Sequence, residues 1–383
     1  MRVCLVYDCL FPHTVGGAER WYRNLATRLT ADGHDVTYLT LRQWPRGTDP
    51  GLPGVRVRVV GPRMALYTAS GRRRILPPLV FGAGVLLHLA LRGRRYDVIH
   101  TNSFPYFALL AAALLRPIGG YRLVVDWHEL WSAAYWRDYL GRAGGRIGWL
   151  VQRLCARVPQ RAFCYSRLHA ARLRAEGVRG EVVVLEGMYV EDSDPVADPP
   201  PAEPVVVFAG RHIPEKRVPA IVPAIAAARA SAPELRAELY GDGPERALVR
   251  ARVKELGLDG TVTVPGFVEP ARIDAALRRA LCLLLPSRRE GYGLVVVEAA
   301  ARGTPSVVVA DPDNAATELI EEGVNGFVAA SASPADLAQA ILRVRAGGDE
   351  LRTSTAAWYA ANSRRLSLAD SLERVATAYR EPA

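Results

Sequence analysis

The chain has 383 residues, half of them apolar and 23% charged, which predicts two domains that each bury a core. The formal net charge is +10, and only Lys216 and Lys254 among the 49 basic residues are lysines. The five cysteines are an odd number, and Cys4, Cys164 and Cys282 lie in apolar runs. This pattern argues against a disulfide framework and a zinc site and favours a reducing compartment.

Basic residues are dense in three clusters of the first half, Arg72–Arg74, Arg92–Arg95 and residues 137–174. Such clusters attract anionic lipid head groups or an acidic acceptor, or they form a solvated face of arginine-rich helices. No groove-reading or base-stacking motif accompanies them, so nucleic acid is not the expected partner. Met1 and Arg2 lead directly into a strand without a secretory signal, which predicts a cytoplasmic protein, with peripheral contact at the inner face of the membrane left open.

One stretch, Ile75–Leu91, is apolar enough to consider as a membrane span. It has 17 residues, contains two prolines and two glycines, and has arginines at both ends. These features favour a helix that is buried or touches a membrane surface over a spanning helix.

In chain order, the first half alternates strands with helices. Arg2–Tyr7 is an apolar strand, a helix opens at Gly16-Gly17-Ala18-Glu19 and runs through Leu29, and Val36–Leu41 is the next strand. This βαβ opening is typical of a parallel sheet. The further strands are predicted at residues 97–101, 123–126, 162–165 and 182–185, and the further helices at 107–115 and 147–156.

Residues 191–204 are acidic and rich in proline, which predicts an extended linker. The second half begins with the strand Val205–Ala209 and alternates regularly. Its helices are predicted at residues 215–230, 244–257, 270–280 and 334–346, and its strands at 236–240, 261–264, 281–285 and 305–309. Two doubly wound α/β domains of this kind place a ligand cleft at the carboxyl ends of their strands.

The most informative segment follows the buried strand 281–285. Glu290 and Glu298 are eight residues apart, with Gly291, Tyr292, Gly293 and Leu294 between them, and an apolar helix carries the second glutamate. Free N–H groups at such a helix start favour a phosphate, and a carboxylate one turn into the helix can accept both hydroxyls of a ribose. Alternatively, Glu290 is a solvated loop residue and Glu298 an exposed helix position.

This segment resembles the paired-glutamate signature of retaining glycosyltransferases of the GT-B fold, family 4, and the resemblance extends over nearly the whole chain. It implies an α/β architecture of two Rossmann-like doubly wound parallel-sheet domains facing an interdomain cleft. Residues 1–190 would bind the acceptor and residues 205–363 the nucleotide sugar, and the terminal segment 364–383 would pack back on the first domain. The implied donor is a substrate, and neither a cofactor nor a metal is expected.

The other matching motifs of the second half imply a donor site. An Arg and a Lys five positions apart, as Arg211 and Lys216 are here, bind the donor diphosphate in the family, and two fixed cations can replace a metal ion. The family often has glycine after this lysine, where Arg217 stands here, which leaves the loop shape open. Gly241-Asp242-Gly243 resembles a turn against the nucleotide, although such turns also occur for structural reasons alone. The segment with Phe267 and Val268 resembles the one whose backbone reads the base. Asp311-Pro312-Asp313 is the nearest match to a metal-binding Asp-x-Asp and is interpreted as a turn.

In the first half, Gly16 and Gly17 resemble the family's glycine pair at the first helix, which can approach donor phosphates or the acceptor. Alternatively, Gly17 only permits a tight turn. His128 ends a strand where the family has a histidine that contacts the donor sugar. His100 also ends a strand and is expected to be structural, while Asp126 and Glu129 remain candidate acceptor contacts.

The resemblance therefore implies transfer of a sugar from a nucleotide diphosphate, UDP- or GDP-linked, to a hydroxyl acceptor with retention of configuration. The expected catalytic residues are His128, Arg211, Lys216 and Glu290. A lipid-linked acceptor, a polysaccharide and a natural product all remain open. Two other functions also remain: a sugar-nucleotide epimerase or phosphorylase on the same fold, and a catalytically silent scaffold that binds a partner or membrane.

Overall fold

The computed structural model describes residues 1–68, 73–189, 196 and 198–381. These residues form two compact units, one comprising residues 1–68, 73–188 and 369–381 and the other the described part of 189–368. Residues 191–195 and 197 of the expected linker, Arg72 of the first basic cluster and residues 382–383 of the terminal segment lie outside the described residues.

The first unit is built on a seven-stranded parallel sheet with the order β3-β2-β1-β4-β5-β6-β7. Its strands are β1 (Arg2–Val6), β2 (Asp35–Leu41), β3 (Arg56–Gly61), β4 (Val98–Asn102), β5 (Arg122–Trp127), β6 (Arg161–Cys164) and β7 (Val182–Val184). Its helices before the second unit are α1 (Gly17–Ala31), α2 (Leu76–Arg92), α3 (Tyr106–Gly119), α4 (Ala133–Ala156) and α5 (Arg167–Ala175).

Strand β3 is the one element of this sheet that sequence analysis did not predict. In it, Arg56 and Arg58 alternate with Val57 and Val59, and the strand lies at the edge of the sheet with half-buried valines. An edge strand pairs with a neighbour on one side only, and its side chains are less completely covered. It therefore lacks the continuous apolar run by which β1 and β4 were identified.

The second unit is built on a six-stranded parallel sheet with the order β10-β9-β8-β11-β13-β15 and a small two-stranded parallel sheet, β12-β14. The strands are β8 (Val205–Ala209), β9 (Arg236–Tyr240), β10 (Val262–Gly266), β11 (Cys282–Leu285), β12 (Arg289–Glu290), β13 (Ser306–Val309), β14 (Asp313–Asn314) and β15 (Gly326–Ala329). The helices are α6 (Ile221–Arg229), α7 (Arg246–Glu255), α8 (Pro270–Arg279), α9 (Leu294–Ala300) and α10 (Pro334–Leu366).

The helix predicted over residues 215–230 is wrong in its first turn. Two short 3-10 helices, Pro214–Lys216 and Val218–Ala220, precede α6, which begins at Ile221. Arg217 separates them with φ 48° and ψ 34°, a left-handed conformation that cannot continue a right-handed helix. The segment therefore stays a loop up to Arg217.

The last helix, α11 (Leu368–Ala378), belongs to the first unit although it follows the second in sequence. Tyr379 Oη lies 2.5 Å from His100 Nδ1, and Arg374 donates to the Val184 carbonyl at 2.9 Å. Residues 364–366 of the expected terminal segment are instead the end of α10. The first unit is thus discontinuous in sequence.

Candidate donor-binding and catalytic site

The loops that follow β8, β9, β10 and β11 are joined to one another by main-chain hydrogen bonds. The donors and acceptors are His212 N to Asp242 O (2.8 Å), Gly241 N to Gly266 O (2.9 Å) and Arg288 N to Glu215 O (2.8 Å). All four loops leave the carboxyl ends of neighbouring parallel strands, the edge where open α/β sheets bind ligands. The structure therefore brings together the segments of Arg211, Lys216, Gly241, Gly243, Phe267 and Glu290.

The two glycines of the turn after β9 are required by close packing of main chain. Gly241 has φ 111°, and a Cβ there would lie 1.9 Å from the Gly210 oxygen. Gly243 has φ 154°, and its Cβ would lie 2.5 Å from the His212 oxygen. The glycines thus let the loops after β8 and β9 approach each other, which is a structural reason for this turn that needs no nucleotide.

Lys216 and Glu290 form an ion pair within this site. Lys216 Nζ lies 2.5 Å from Glu290 Oε1, and the two side chains are 19% and 10% exposed. The alternative that Glu290 is a solvated loop residue is therefore wrong. Sequence analysis had given the two residues separate roles and did not anticipate the contact, which joins residues 74 positions apart.

The small β12–β14 sheet holds Glu290 in place. Glu290 pairs with Asn314 in register, and Asn314 is buried. The Asn314 amide donates to the Val309 oxygen at 2.8 Å and to the Ser287 oxygen at 3.2 Å, while its Oδ1 accepts from Ala316 N. Asn314 therefore ties the loop after β11 to the loop after β13. Asn314 follows the strand predicted at 305–309, which was the available sequence signal, but sequence analysis did not single it out.

Arg217 makes a second ion pair beside the first. Its Nη2 lies 3.1 Å from Asp311 Oδ2, and Asp311 Oδ1 also accepts from Asp313 N at 3.3 Å. The Asp311-Pro312-Asp313 segment thus forms a turn whose first carboxylate is paired with an arginine. Among the described residues, no three His, Cys, Asp or Glu side chains come together in a metal-binding arrangement.

Two side chains of the site face solvent. Arg211 is exposed, and its guanidinium has no ion-pair partner within the described chain. Phe267 is 75% exposed, directly after Gly266, whose oxygen accepts from Gly241 N. A cation and an aromatic ring are therefore open to a ligand at the ends of β8 and β10. Val268 beside Phe267 is half-buried.

The loop between the paired glutamates leads into α9. Gly293 precedes that helix with φ 105°, and a Cβ there would lie 2.7 Å from Ala316 Cβ, so glycine is required. Tyr292 is buried, whereas Gly291 and Leu294 are half-buried. Glu298 is half-buried and is the fifth residue of α9, which places it about one turn into the helix, as the sequence predicted.

In the first unit, His128 directly follows β5 and stacks on Tyr165, with ring centroids 4.2 Å apart and planes 10° from parallel. Burial lowers the pKa of His128 to about 4, against the raising effect of Asp126. Its Nε2 is buried and has no hydrogen-bond partner among the described residues. An imidazole with this pKa is neutral at neutral pH, so it can form hydrogen bonds but does not supply a positive charge.

Asp126 and His100 belong to a buried network of hydrogen bonds and charge. Asp126 is fully buried, accepts from Trp21 Nε1 at 2.8 Å and lies 2.9 Å from His100 Nε2. The neighbouring His100 and the Trp21 hydrogen bond lower the pKa of Asp126 although its burial acts in the opposite direction. The expectation for His100 is consistent with this network, while Asp126 is too enclosed to contact an acceptor. Glu129 accepts from Trp131 Nε1 at 2.9 Å.

Gly16 and Gly17 start α1 at the carboxyl end of β1. Gly16 is extended, and a Cβ there would lie 2.4 Å from the carboxylate of Glu19. Gly17 does not have a positive φ, and a Cβ there would meet nothing within 4 Å. The alternative of a tight turn at Gly17 therefore finds no support, because neither backbone conformation nor packing within the described residues requires glycine.

Comparison with known proteins identifies the family. Residues 15–187 match the family model Glycosyltransferase Family 4, and residues 190–357 match the model Glycosyl transferases group 1. The chain belongs to glycosyltransferase family 4. As a member of this group it is a glycosyltransferase with the GT-B fold.

Two relatives are similar over most of their length. The chain is 26% identical over 375 residues to an MMP alpha-(1->4)-mannosyltransferase of Mycolicibacterium hassiacum, covering 88% of this chain and 87% of that protein. It is 26% identical over 370 residues to a glycogen synthase of Mycobacterium tuberculosis, covering 91% and 86%.

Solved structures share the fold. A sucrose-phosphate synthase from Thermosynechococcus elongatus matches with a TM-score of 0.78 at 22% identity, covering 99% of this chain and 98% of that one. The Anabaena protein HepE in complex with UDP matches with a TM-score of 0.72 at 20% identity, covering 99% of each chain.

Proposed function

We propose that this glycosyltransferase moves a hexosyl group from a nucleoside diphosphate sugar to a hydroxyl acceptor, with retention of anomeric configuration and without a metal ion. The observation that carries the proposal is the Lys216–Glu290 ion pair at the carboxyl edge of the second sheet, with the exposed Arg211 on the same loop as Lys216. Two cations on one loop suit a diphosphate leaving group, because they offset the charge that develops on it.

Each matched residue then has a role. Arg211 and Lys216 bind the diphosphate, assisted by main-chain N–H groups of Tyr292, Gly293 and Leu294. Glu298 accepts the ribose hydroxyls, and Glu290 binds donor-sugar hydroxyls while it holds the Lys216 ammonium in position. The base lies against the main chain of Phe267 and Val268. The turn at Gly241 and Gly243 lets the nucleotide approach the edge of the sheet. Gly16, Gly17 and Gly291 likewise allow other parts of the donor to approach the main chain closely.

In the reaction, the acceptor oxygen forms a bond to the anomeric carbon as the bond from that carbon to the diphosphate oxygen breaks. The acceptor proton passes to the departing diphosphate, so no protein base is required. His128 contributes a neutral imidazole that binds a hydroxyl of the donor sugar, consistent with its lowered pKa of about 4.

Relatives support the donor class. The HepE structures contain UDP or UDP-glucose, and the similar mycobacterial proteins are a mannosyltransferase and a glycogen synthase. We propose a UDP- or GDP-linked donor on this basis. The five cysteines are unpaired and buried, which supports action in a reducing compartment such as the cytoplasm.

The test is a thermal-shift screen of the purified protein against UDP, GDP, ADP, dTDP and CDP with a chelator present. One diphosphate at about 100 times its Kd should stabilise the folded state by about 2.7 kcal/mol. The shift should disappear in Glu298→Ala. Absence of a shift with every nucleotide would contradict the donor site.

Turnover separates the remaining alternatives. With the selected nucleotide sugar and a hydroxyl acceptor, NMR of the product should show the anomeric configuration of the donor. Inverted product would contradict retention. Isomerisation of the sugar nucleotide without acceptor would indicate an epimerase, and nucleotide binding without turnover over many acceptors would indicate a binding scaffold.

A further inference from the structure

The helices α2 and α3 present apolar side chains where a globular protein ordinarily has polar ones. No charged residue occurs between Ile75 and Leu91, and the side of α2 that does not pack on the unit is 37–74% exposed at its leucines. The large apolar side chains exposed on the two helices are Leu76, Leu79, Leu86, Leu87, Leu91, Leu114 and Ile118. We call these residues the leucine face.

The leucine face is continuous because the helices lie side by side. α2 and α3 connect successive parallel strands in the same direction along the sheet, and right-handed crossovers place both on the same side of it. They pack against each other at Gly82, where a Cβ would lie 2.5 Å from Phe107 Cβ. Their ends also meet, since Arg94 Nε donates to the Ile118 oxygen at 3.3 Å. The next helix, α4, packs on α3 and adds exposed apolar residues at Ile147, Leu150 and Leu154.

The net positive charge of the sequence is concentrated in the segment that contains α2 and α3. The segment from residue 51 to residue 125 contains eleven arginines, no lysine and one acidic residue, Asp97. It therefore carries a formal charge of +10, which equals that of the whole chain, so all other residues together have no net formal charge. The exposed Arg92, Arg94 and Arg95 directly follow the last leucine of α2, and Arg74 is exposed just before its start.

We infer that the leucine face and its arginines form a peripheral docking surface for an anionic lipid bilayer. Leucines at this position can enter the boundary between head groups and acyl chains while the arginines remain at the level of the lipid phosphates. A protein partner would need an acidic and apolar surface of the same layout, whereas an anionic bilayer supplies both properties over any area. This inference goes beyond glycosyl transfer, because it concerns a surface outside the donor-binding loops.

The packing of α2 favours docking over spanning. α2 and the turn after it, Leu76–Arg95, form the one described helical segment long and apolar enough to cross a membrane, and 39% of its most apolar window is buried in the protein. A Cβ on Gly84 would lie 1.9 Å from the Val60 oxygen, so the helix touches β3 directly. Phe81 and Val85 are fully buried. A spanning arrangement would remove these contacts and expose the sheet.

The test is co-sedimentation of the full chain with vesicles of phosphatidylcholine alone and of phosphatidylcholine mixed with phosphatidylglycerol. We expect binding only to the anionic vesicles, weakened by salt. Leu87→Gln with Leu91→Gln and, separately, Arg94→Gln with Arg95→Gln should each lower the partition coefficient about tenfold or more. Circular dichroism melting of each variant establishes that it is folded.

A matched control uses the same chemistry on α7 of the second unit, where Leu248 and Arg250 are exposed. Leu248→Gln with Arg250→Gln should bind vesicles like the wild type, and an equal loss would overturn the assignment of the face. Absence of wild-type binding to anionic vesicles would also overturn it. A wild-type dimer that Leu87→Gln with Leu91→Gln dissociates, without vesicle binding, would assign the face to a second copy. Binding that survives an alkaline wash would indicate insertion instead of docking.

Discussion

At the residue scale, the site is organised by the contact between Lys216 and Glu290. Both side chains are mostly buried, so each holds the other in one position and each would be left unpaired by loss of its partner. Under the proposed function, the diphosphate and the donor sugar would therefore contact a lysine and a glutamate that act as one unit, although they are 74 positions apart in sequence.

Substitution of Lys216 tests this unit. Lys216→Ala should lower kcat by about 10²- to 10³-fold, because a cation that offsets leaving-group charge is lost. It should also lower the melting temperature, since the buried Glu290 carboxylate loses its partner. The control is Lys254→Ala, which removes the only other lysine from an exposed position on α7. Equal activity of the two variants in steady-state kinetics would contradict the role of Lys216.

The histidines of the first unit should make the free energy of unfolding depend on pH. Burial lowers the pKa of His128 to about 4, below its ordinary value of about 6.5. Between these values the unfolded state binds more protons, so the free energy of unfolding falls as the pH drops from about 6.5 to about 4. His128→Asn should reduce this slope in urea unfolding measured across that range.

His88 provides the control for function. Its pKa is also lowered to about 4, chiefly by burial, and it lies 2.8 Å from Tyr96 Oη. His88→Asn should therefore reduce the same slope but leave turnover unchanged, whereas His128→Asn should reduce turnover as well. If His128→Asn keeps full turnover, the imidazole does not contact the donor sugar.

At the element scale, the start of α6 depends on one unusual backbone conformation. Arg217 is in the left-handed region, with φ 48°, where a side chain costs about 1–2 kcal/mol and glycine nearly nothing. The arginine is nevertheless held there by Asp311. The loop shape that sequence analysis left open is thus the one a glycine would adopt.

A pair of variants separates the conformation from the ion pair. Arg217→Gly and Arg217→Ala both lose the contact with Asp311, but only alanine retains the strain. Arg217→Gly should therefore be the more stable of the two by about 1 kcal/mol in chemical denaturation. Equal stability would mean that the loop relaxes to another conformation when the ion pair is absent.

For the glycines of two strand-to-helix connections, we expect opposite effects of alanine substitution on stability. Gly241→Ala should destabilise the protein by about 2–4 kcal/mol, because its Cβ would overlap the Gly210 oxygen. Gly17→Ala should change stability by less than about 1 kcal/mol, since its Cβ meets open space at the start of a helix. We expect Gly17→Ala nevertheless to lower turnover, because the proposed function brings the donor close to α1. Thermal melts and kinetics of both variants check this.

At the scale of the whole molecule, the first unit is completed by α11, the last helix of the sequence. Val375 and Tyr379 are almost completely buried and belong to the first unit, although the whole second unit precedes them in sequence. Burying an apolar side chain of this size contributes about 1.5–3 kcal/mol. The first unit should therefore be much less stable in a chain that lacks α11.

Ending the chain after residue 367 tests this expectation. Calorimetry should show an unfolding transition of the first unit at reduced temperature, while the second unit keeps its own transition and the nucleotide-induced shift. A chain ended after residue 381, which retains the Tyr379 contact with His100, should melt like the full chain. Equal melting of both truncated chains would contradict the structural role of α11.

Much of the fold follows from local sequence patterns. The apolar runs at β1, β8 and β11 predict buried parallel strands, and the Gly291–Gly293 loop before an apolar helix predicts α9. The edge strand β3 and the two-residue strands β12 and β14 lack such a pattern, because β3 alternates arginines with valines and β12 and β14 each consist of two polar residues.

The sequence by itself determined the α/β alternation, the family and the segments that carry Arg211, Lys216, Glu290 and Glu298, since apolar periodicity and glycine-flanked motifs are local properties. Only the tertiary structure decided that Lys216 pairs with Glu290, that Asn314 supports it, and that the leucine face of α2 and α3 is exposed. Those outcomes depend on strand order and crossover direction, which bring together residues that are distant along the chain and decide which side of a helix is covered.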